Sequence, residues 1–187
     1  MRIIFKTLSA LVAITNIAAC STAQSEPAPT PVVPVIQAPA PAPTPPPVAA
    51  PIIPKGEWID WPLSQGTWVY RQDDRGSIAL FGAPNSDALL TIRCDHNQRQ
   101  IFISRVGTSQ PATGTMTLRA SSGLETYMAR PTGGETPYTA IAVMTNDIML
   151  DRIAFSRGRF AVETSGLDSV AIPIWPEFTR VVEDCRS

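Results

Sequence analysis

Between residues 67 and 174 the apolar and polar side chains follow a period of two in most stretches, the spacing of strands whose successive side chains point to opposite faces. The stretches 67–71 (Thr-Trp-Val-Tyr-Arg) and 77–81 (Ser-Ile-Ala-Leu-Phe) flank the polar run 72–76, which predicts a hairpin. In 90–94, Leu90, Ile92 and Cys94 fall on one face and Thr91 and Arg93 on the other, so Cys94 points inward with the core set. After a turn at 95–98, the stretch 99–105 predicts the partner strand, with Ile101 and Ile103 sharing a face. Further strands are predicted at 115–120 through Met116, Leu118 and Ala120, at 138–144, at 158–164 with Phe160 and Val162 inward, and at 169–174 after a turn at 165–168.

Two segments break the rhythm. Asp147 can cap a short helix reaching about Phe155, with Ile148, Met149, Leu150, Ile153 and Ala154 as apolar positions. A last helix is predicted at 175–185, where Pro176 sits early enough that its missing amide costs nothing and Trp175, Phe178, Val181, Val182 and Cys185 recur at helical spacing. The expected fold is mainly β: an antiparallel β-sandwich or open barrel with one or two short packed helices. The stretch 55–187 is long enough to close one hydrophobic core.

Ahead of this domain the pattern changes twice. Met1, Arg2 and Lys6 precede an apolar segment that ends in small residues at Ala18 and Ala19, the order of a secretory signal peptide over 1–19. Polar breaks at Lys6, Thr7, Ser9, Thr15 and Asn16 set it apart from a permanent spanning helix, which wants about 20 predominantly apolar residues. The stretch Ile17-Ala18-Ala19-Cys20 resembles the lipobox of bacterial lipoproteins. That resemblance implies cleavage before Cys20, diacylglycerol on its thiol and acylation of the new N-terminus, and several acyl chains anchor firmly. With Ser21 rather than aspartate next, the family pattern implies sorting to the outer membrane, facing the periplasm. Residues 20–54 then form the lipid anchor and a tract of Pro, Ala, Val and Thr in which proline forbids helix and ladder alike. As a semi-rigid polyproline II tether at about 3.1 Å per residue it reaches on the order of 100 Å.

Composition narrows the chemistry. The formal net charge is −1, so no basic face points to nucleic acid. Cys94 and Cys185 are the two cysteines of 55–187, and in an oxidising compartment an even pair predicts a disulfide that joins the last helix to the strand ending at Cys94. Closing a loop of about 90 residues contributes roughly 4.6 kcal/mol in the chain-entropy model. His96, the single histidine, falls in the turn Asp95-His96-Asn97-Gln98, the setting of a solvated side chain rather than a general base. Asp73-Asp74 reads as hairpin-turn chemistry. No nucleophile elbow, Walker or dinucleotide pattern and no metal-ligand spacing is present in the sequence, so no cofactor and no enzymatic activity is expected.

Two family resemblances bear on 55–187. The strand 90–94, the turn with Asn97, the strand 101–104, the short helix leading into Arg159-Phe160-Ala161-Val162 and the final helix ending in Cys185 look like the periplasmic accessory lipoproteins of type VI secretion, which implies a non-enzymatic envelope role. The stretches 122–127 (Ser-Gly-Leu-Glu-Thr-Tyr) and 155–158 (Phe-Ser-Arg-Gly) look like the two loops of lysozyme-inhibitor lipoproteins. In that family a hydroxyl and a cation enter the acidic cleft of a muramidase, which implies those roles for Ser122 and for Arg157, which stands where the family has lysine.

Arg157 and Arg159 flank Gly158, and two guanidiniums so placed can fork onto carboxylates or phosphates of peptidoglycan, lipid A or a protein, or instead pair with acids such as Glu163. Trp58 and Trp61 are candidates for an aromatic anchor to a partner, or for packing of the incoming chain on the domain. The expectation is a membrane-anchored, non-catalytic envelope adaptor or structural lipoprotein, whose partner is an envelope protein or peptidoglycan; the alternative is an inhibitor of a lysozyme-like muramidase.

Overall fold

The computed structural model describes residues 49–187. The stretches expected to be a signal peptide and a lipobox with Cys20, and most of the proline-rich tract, lie outside the described residues.

Nine strands follow from the alternation: β1 (Thr67–Asp73), β2 (Gly76–Gly82), β3 (Leu90–Asp95), β4 (Gln100–Val106), β5 (Gly114–Ala120), β6 (Gly123–Pro131), β7 (Tyr138–Met144), β8 (Arg159–Thr164) and β9 (Val170–Pro173). They form one antiparallel sheet in the order β1-β2-β3-β4-β7-β6-β5-β8-β9, curled into a half-barrel. Of the two expected architectures, the open barrel is the one formed. The outermost strands meet through a side chain rather than a ladder: the Trp68 indole N–H on β1 donates to the carbonyl of Pro173 on β9 at 2.8 Å.

The inward parity is apolar throughout, with Phe81, Leu90, Ile92, Cys94, Ile101, Ile103, Met116, Leu118, Phe160, Val162 and Ile172 sharing one core. Two helices fill the concave side, α1 (Ile148–Ala154) and α2 (Pro176–Arg186). Asp147 caps α1 as expected, accepting from the Met149 amide at 2.8 Å, and also accepts the Tyr127 hydroxyl at 2.9 Å. Burial, and then that bond to an anionic carboxylate, push the Tyr127 phenol above its ordinary range. Helix α2 lies against β1 to β4 and buries Phe178, Val181 and Val182; Phe178 meets Phe160 at 5.8 Å between ring centres. Cys185 on this helix is bonded to Cys94 on β3, 91 residues away, with Cα atoms 5.4 Å apart, as the sequence predicts.

Two expectations change. The turn of the first hairpin shrinks to Asp74-Arg75, because β1 and β2 pair as far as Asp73 and Gly76. More consequentially, of the stretch 122–127, which the lysozyme-inhibitor resemblance makes a loop, all but Ser122 belongs to the first half of strand β6. Its residues are exposed on nearly every position, so no apolar alternation marks it. It is held as a strand by full pairing with β5, from Ala120 facing Gly123 to Gly114 facing Ala129.

The incoming chain lies against β9. The Ile52 amide donates to Asp168 at 2.7 Å, Ser169 donates to the Ile52 carbonyl at 3.0 Å, and Leu63 forms a parallel bridge to Ala171. Among the described residues, hydrogen-bonded contacts with the domain therefore include Ile52, slightly ahead of residue 55.

Replacing both Cys94 and Cys185 by alanine is expected to lower unfolding free energy by about 3–5 kcal/mol, read as a lower urea midpoint by tryptophan fluorescence. A midpoint equal to that of the parent would refute the role given to this bridge.

Candidate functional site

Two surfaces gather the side chains that carry chemistry. The first is the end of the half-barrel where the β5–β6 turn meets the α1–β8 turn. Ser121 and Ser122 form a two-residue turn, and Gly123 follows at φ 148°, in the region that favours glycine. The Ser121 amide donates to Ser156 Oγ at 3.0 Å and the Arg157 amide to Ser121 Oγ at 3.3 Å, while Ser156 Oγ–H donates to the Arg159 carbonyl. These bonds place the turns bearing Ser122 and Arg157 side by side, both residues exposed. Phe155, on the same turn as Arg157, is 85% exposed.

The other sequence candidates do not join this cluster. Arg159 turns to the outer face of β8 and donates to the Trp61 carbonyl at 2.8 Å, whereas Arg157 stands exposed on the preceding turn. Glu163 pairs with Arg119 rather than with either of them. Trp61 is buried against Ala161 and Ala171, with Trp58 half-buried beside it, so the two indoles pack the incoming chain onto the domain. His96 is exposed in its turn. Among the described residues no three His, Cys, Asp or Glu side chains gather as a metal site, and no helix is long and apolar enough to cross a membrane.

The second surface was not read from the sequence. The outward faces of β3, β4, β7 and β6 form a groove of about 660 Å³. Phe102, Ala140, Ala142 and Met128 give it an apolar floor, and Arg75, Arg93 and Arg130 line it. Arg93 grips Asp73 with two bonds, at 2.9 and 2.8 Å, which hold that carboxyl down at about 2. Arg75 reaches Asp95 at 2.8 Å and, with the Gln98 amide, lowers its pKa as well. Arg130 has no ion-pair partner among the described residues. Apolar side chains stand exposed on β6 at Met128 (66%) and Leu124 (46%), at the end of β7 at Met144 (57%) and at the start of α1 at Ile148 (56%).

One signal for the groove was present in the alternation. Phe102 has the outward parity of Ser104, opposite to Ile101 and Ile103, and a large apolar residue at an outward position marks a surface with something to cover. The opposite parity, that of Ile101 and Ile103, sends Arg105 inward, where it is buried, bonds the Val106 carbonyl at 2.8 Å, and has its pKa lowered by desolvation. Compared with known proteins, the chain matches no family model, no curated protein and no solved structure.

The Asp73 carboxyl titrates below its unfolded value of 3.8, so its pairing stabilises the fold above that pH and the stabilisation disappears as pH falls through about 2. In Asp73→Asn the decline of Tm over this acid window should be shallower than in the parent. In Arg93→Gln the carboxyl should titrate near its ordinary value by NMR. Unchanged titration would remove the pairing from the account.

Proposed function

We propose that the chain is a lipid-anchored, non-catalytic adaptor of the bacterial envelope, held through lipidated Cys20 at the outer membrane and extended into the periplasm on its proline-rich tether. The observation that carries this reading is the groove lined by three arginines and floored by outward-facing Phe102, Ala140, Ala142 and exposed Met128. Monomeric proteins seldom leave such side chains together in water unless another molecule covers them. The partner class this favours is an envelope protein. Peptidoglycan, rich in hydroxyls and amides, offers little to an apolar floor.

A second reading, inhibition of a lysozyme-like muramidase, is favoured by one feature: the Ser121–Arg157 bond brings the two candidate inhibitory turns together. In that reading Ser122 and Arg157 are the groups that meet the enzyme's paired carboxylates.

The test uses the full-length protein in cells, with a photo-crosslinking residue in place of Phe155 or Met144. A single discrete protein adduct is expected at both positions, and its absence at both would overturn the adaptor reading. Lysozyme binding weakened at least about tenfold by Arg157→Ala would instead select the inhibitor. Cys20→Ser should yield an unlipidated species by mass; an unchanged acylated mass would refute the anchor.

A further inference from the structure

The sheet is not continuous. Strand β6 pairs with β7 only at Arg130 with Ala140 and Pro131 with Thr139, whereas β6 pairs with β5 from residue 123 to residue 129 and β7 pairs with β4 over its whole length. Beyond Arg130 and Ala140 the two strands part. The parity of the ladders identifies what this leaves open. Across the two-residue turn Ala120 faces Gly123, and the alternation of an antiparallel pair then directs the backbone groups of Glu125, Tyr127 and Ala129 toward β5. Those of Leu124, Thr126 and Met128 point the other way. The β7 side agrees, since Thr132 donates to the Tyr138 carbonyl at 2.9 Å and Arg130 faces Ala140. Three successive sets of strand donors and acceptors on β6 therefore have no backbone partner among the described residues.

Elsewhere the chain manages its sheet edges. The incoming segment runs against β9, with the Ser64 amide on the Ala171 carbonyl at 2.8 Å, and β1 carries Arg71 and Asp73. Along β6 the open edge is instead bordered by exposed Leu124 and Met128, with Met144 and Ile148 exposed beyond it. Tyr127 bonds Asp147, and Arg152 bonds Glu125 at 3.0 Å, so α1 and its cap brace β6 through two side-chain bonds.

We propose that this edge is a strand-addition site for an extended acidic segment of a partner protein, which pairs with Leu124, Thr126 and Met128, lays alternate apolar side chains beside Met128 and Met144, and places a carboxylate on Arg130. The geometry is that of β-augmentation, in which main-chain bonds supply affinity and alternate side chains supply specificity. Charge selects the acidic occupant. The groove beside the edge is lined by three arginines and by no acid, Arg75 and Arg93 are already engaged by Asp95 and Asp73, and Arg130 is left unmatched. This deepens the adaptor reading and rests on it.

The test selects short peptides from a random display library on the full-length protein in detergent. Enriched peptides are expected to alternate apolar residues with at least one acid and to protect the amides of Leu124, Thr126 and Met128 from hydrogen exchange. N-methylation at alternate peptide positions on one register should weaken binding about tenfold or more, and on the other register should spare it. Met128→Pro removes an exposed, unpaired amide and should abolish binding. Arg130→Glu, a surface change that leaves the backbone intact, should weaken it about tenfold or more.

Peptides that bind both variants within about twofold of the parent, protection mapped to other strands, or no enrichment at all would each overturn the proposal. So would a concentration-dependent dimer dissolved by Met128→Pro, which would assign the edge to a second copy. Crosslinks at Phe155 and Met144 without any peptide binder would leave the adaptor standing and remove strand addition alone. Absence of both would remove the two together.

Discussion

A curled sheet that stops short of closing has an interior that its own strands cannot fill, and the structure depends on what is put there. Helix α2 supplies it. Phe178, Val181 and Val182 are inserted against β1 to β4, and the Phe178 ring meets Phe160 from the opposite side of the curl. Burying a side chain of this kind is worth about 1.5–3 kcal/mol, and here one helix does it for both halves of the sheet. The Cys94–Cys185 bond holds the far end of that helix to β3, and the Trp68 indole links β1 to β9. The barrel is completed by a helix, a disulfide and one side-chain hydrogen bond where a further ladder would otherwise be needed.

Much of this was legible in the chain. Strands with one face on the core announce themselves by parity, and β7 and the inward pointing of Cys94 follow from it directly. The last helix was readable because Phe178, Val181, Val182 and Cys185 keep helical spacing against an otherwise alternating background. Strand β6 was not readable, for the same physical reason that makes it interesting. A strand buried on neither face over most of its length has no pattern to show, and Gly123 to Tyr127 carries only the composition of a turn.

The candidate surfaces divide in a similar way. Ser122 and Arg157 could be named from their glycine-flanked turns, but only the fold reveals that Ser121 joins them. Arg159, Trp58 and Trp61 looked available to a partner and are engaged with one another, because a backbone carbonyl and two small alanines on the outer sheet face make a complementary seat for them. The arginine-lined groove draws on four strands, β3, β4, β7 and β6, that are adjacent only because of the order of the sheet, so no local stretch of sequence contains it.

The way the chain arrives on the domain carries a mechanical consequence. Among the described residues, a pull on the incoming chain would enter at Ile52 and reach first the contacts with Asp168, Ser169 and Ala171, before any rung of the sheet. The 91-residue separation closed by Cys94 and Cys185 is covalently locked and cannot lengthen under load. The strap along β9 is thus the yielding part of the load path: tension applied to it would peel a short segment and leave the half-barrel folded.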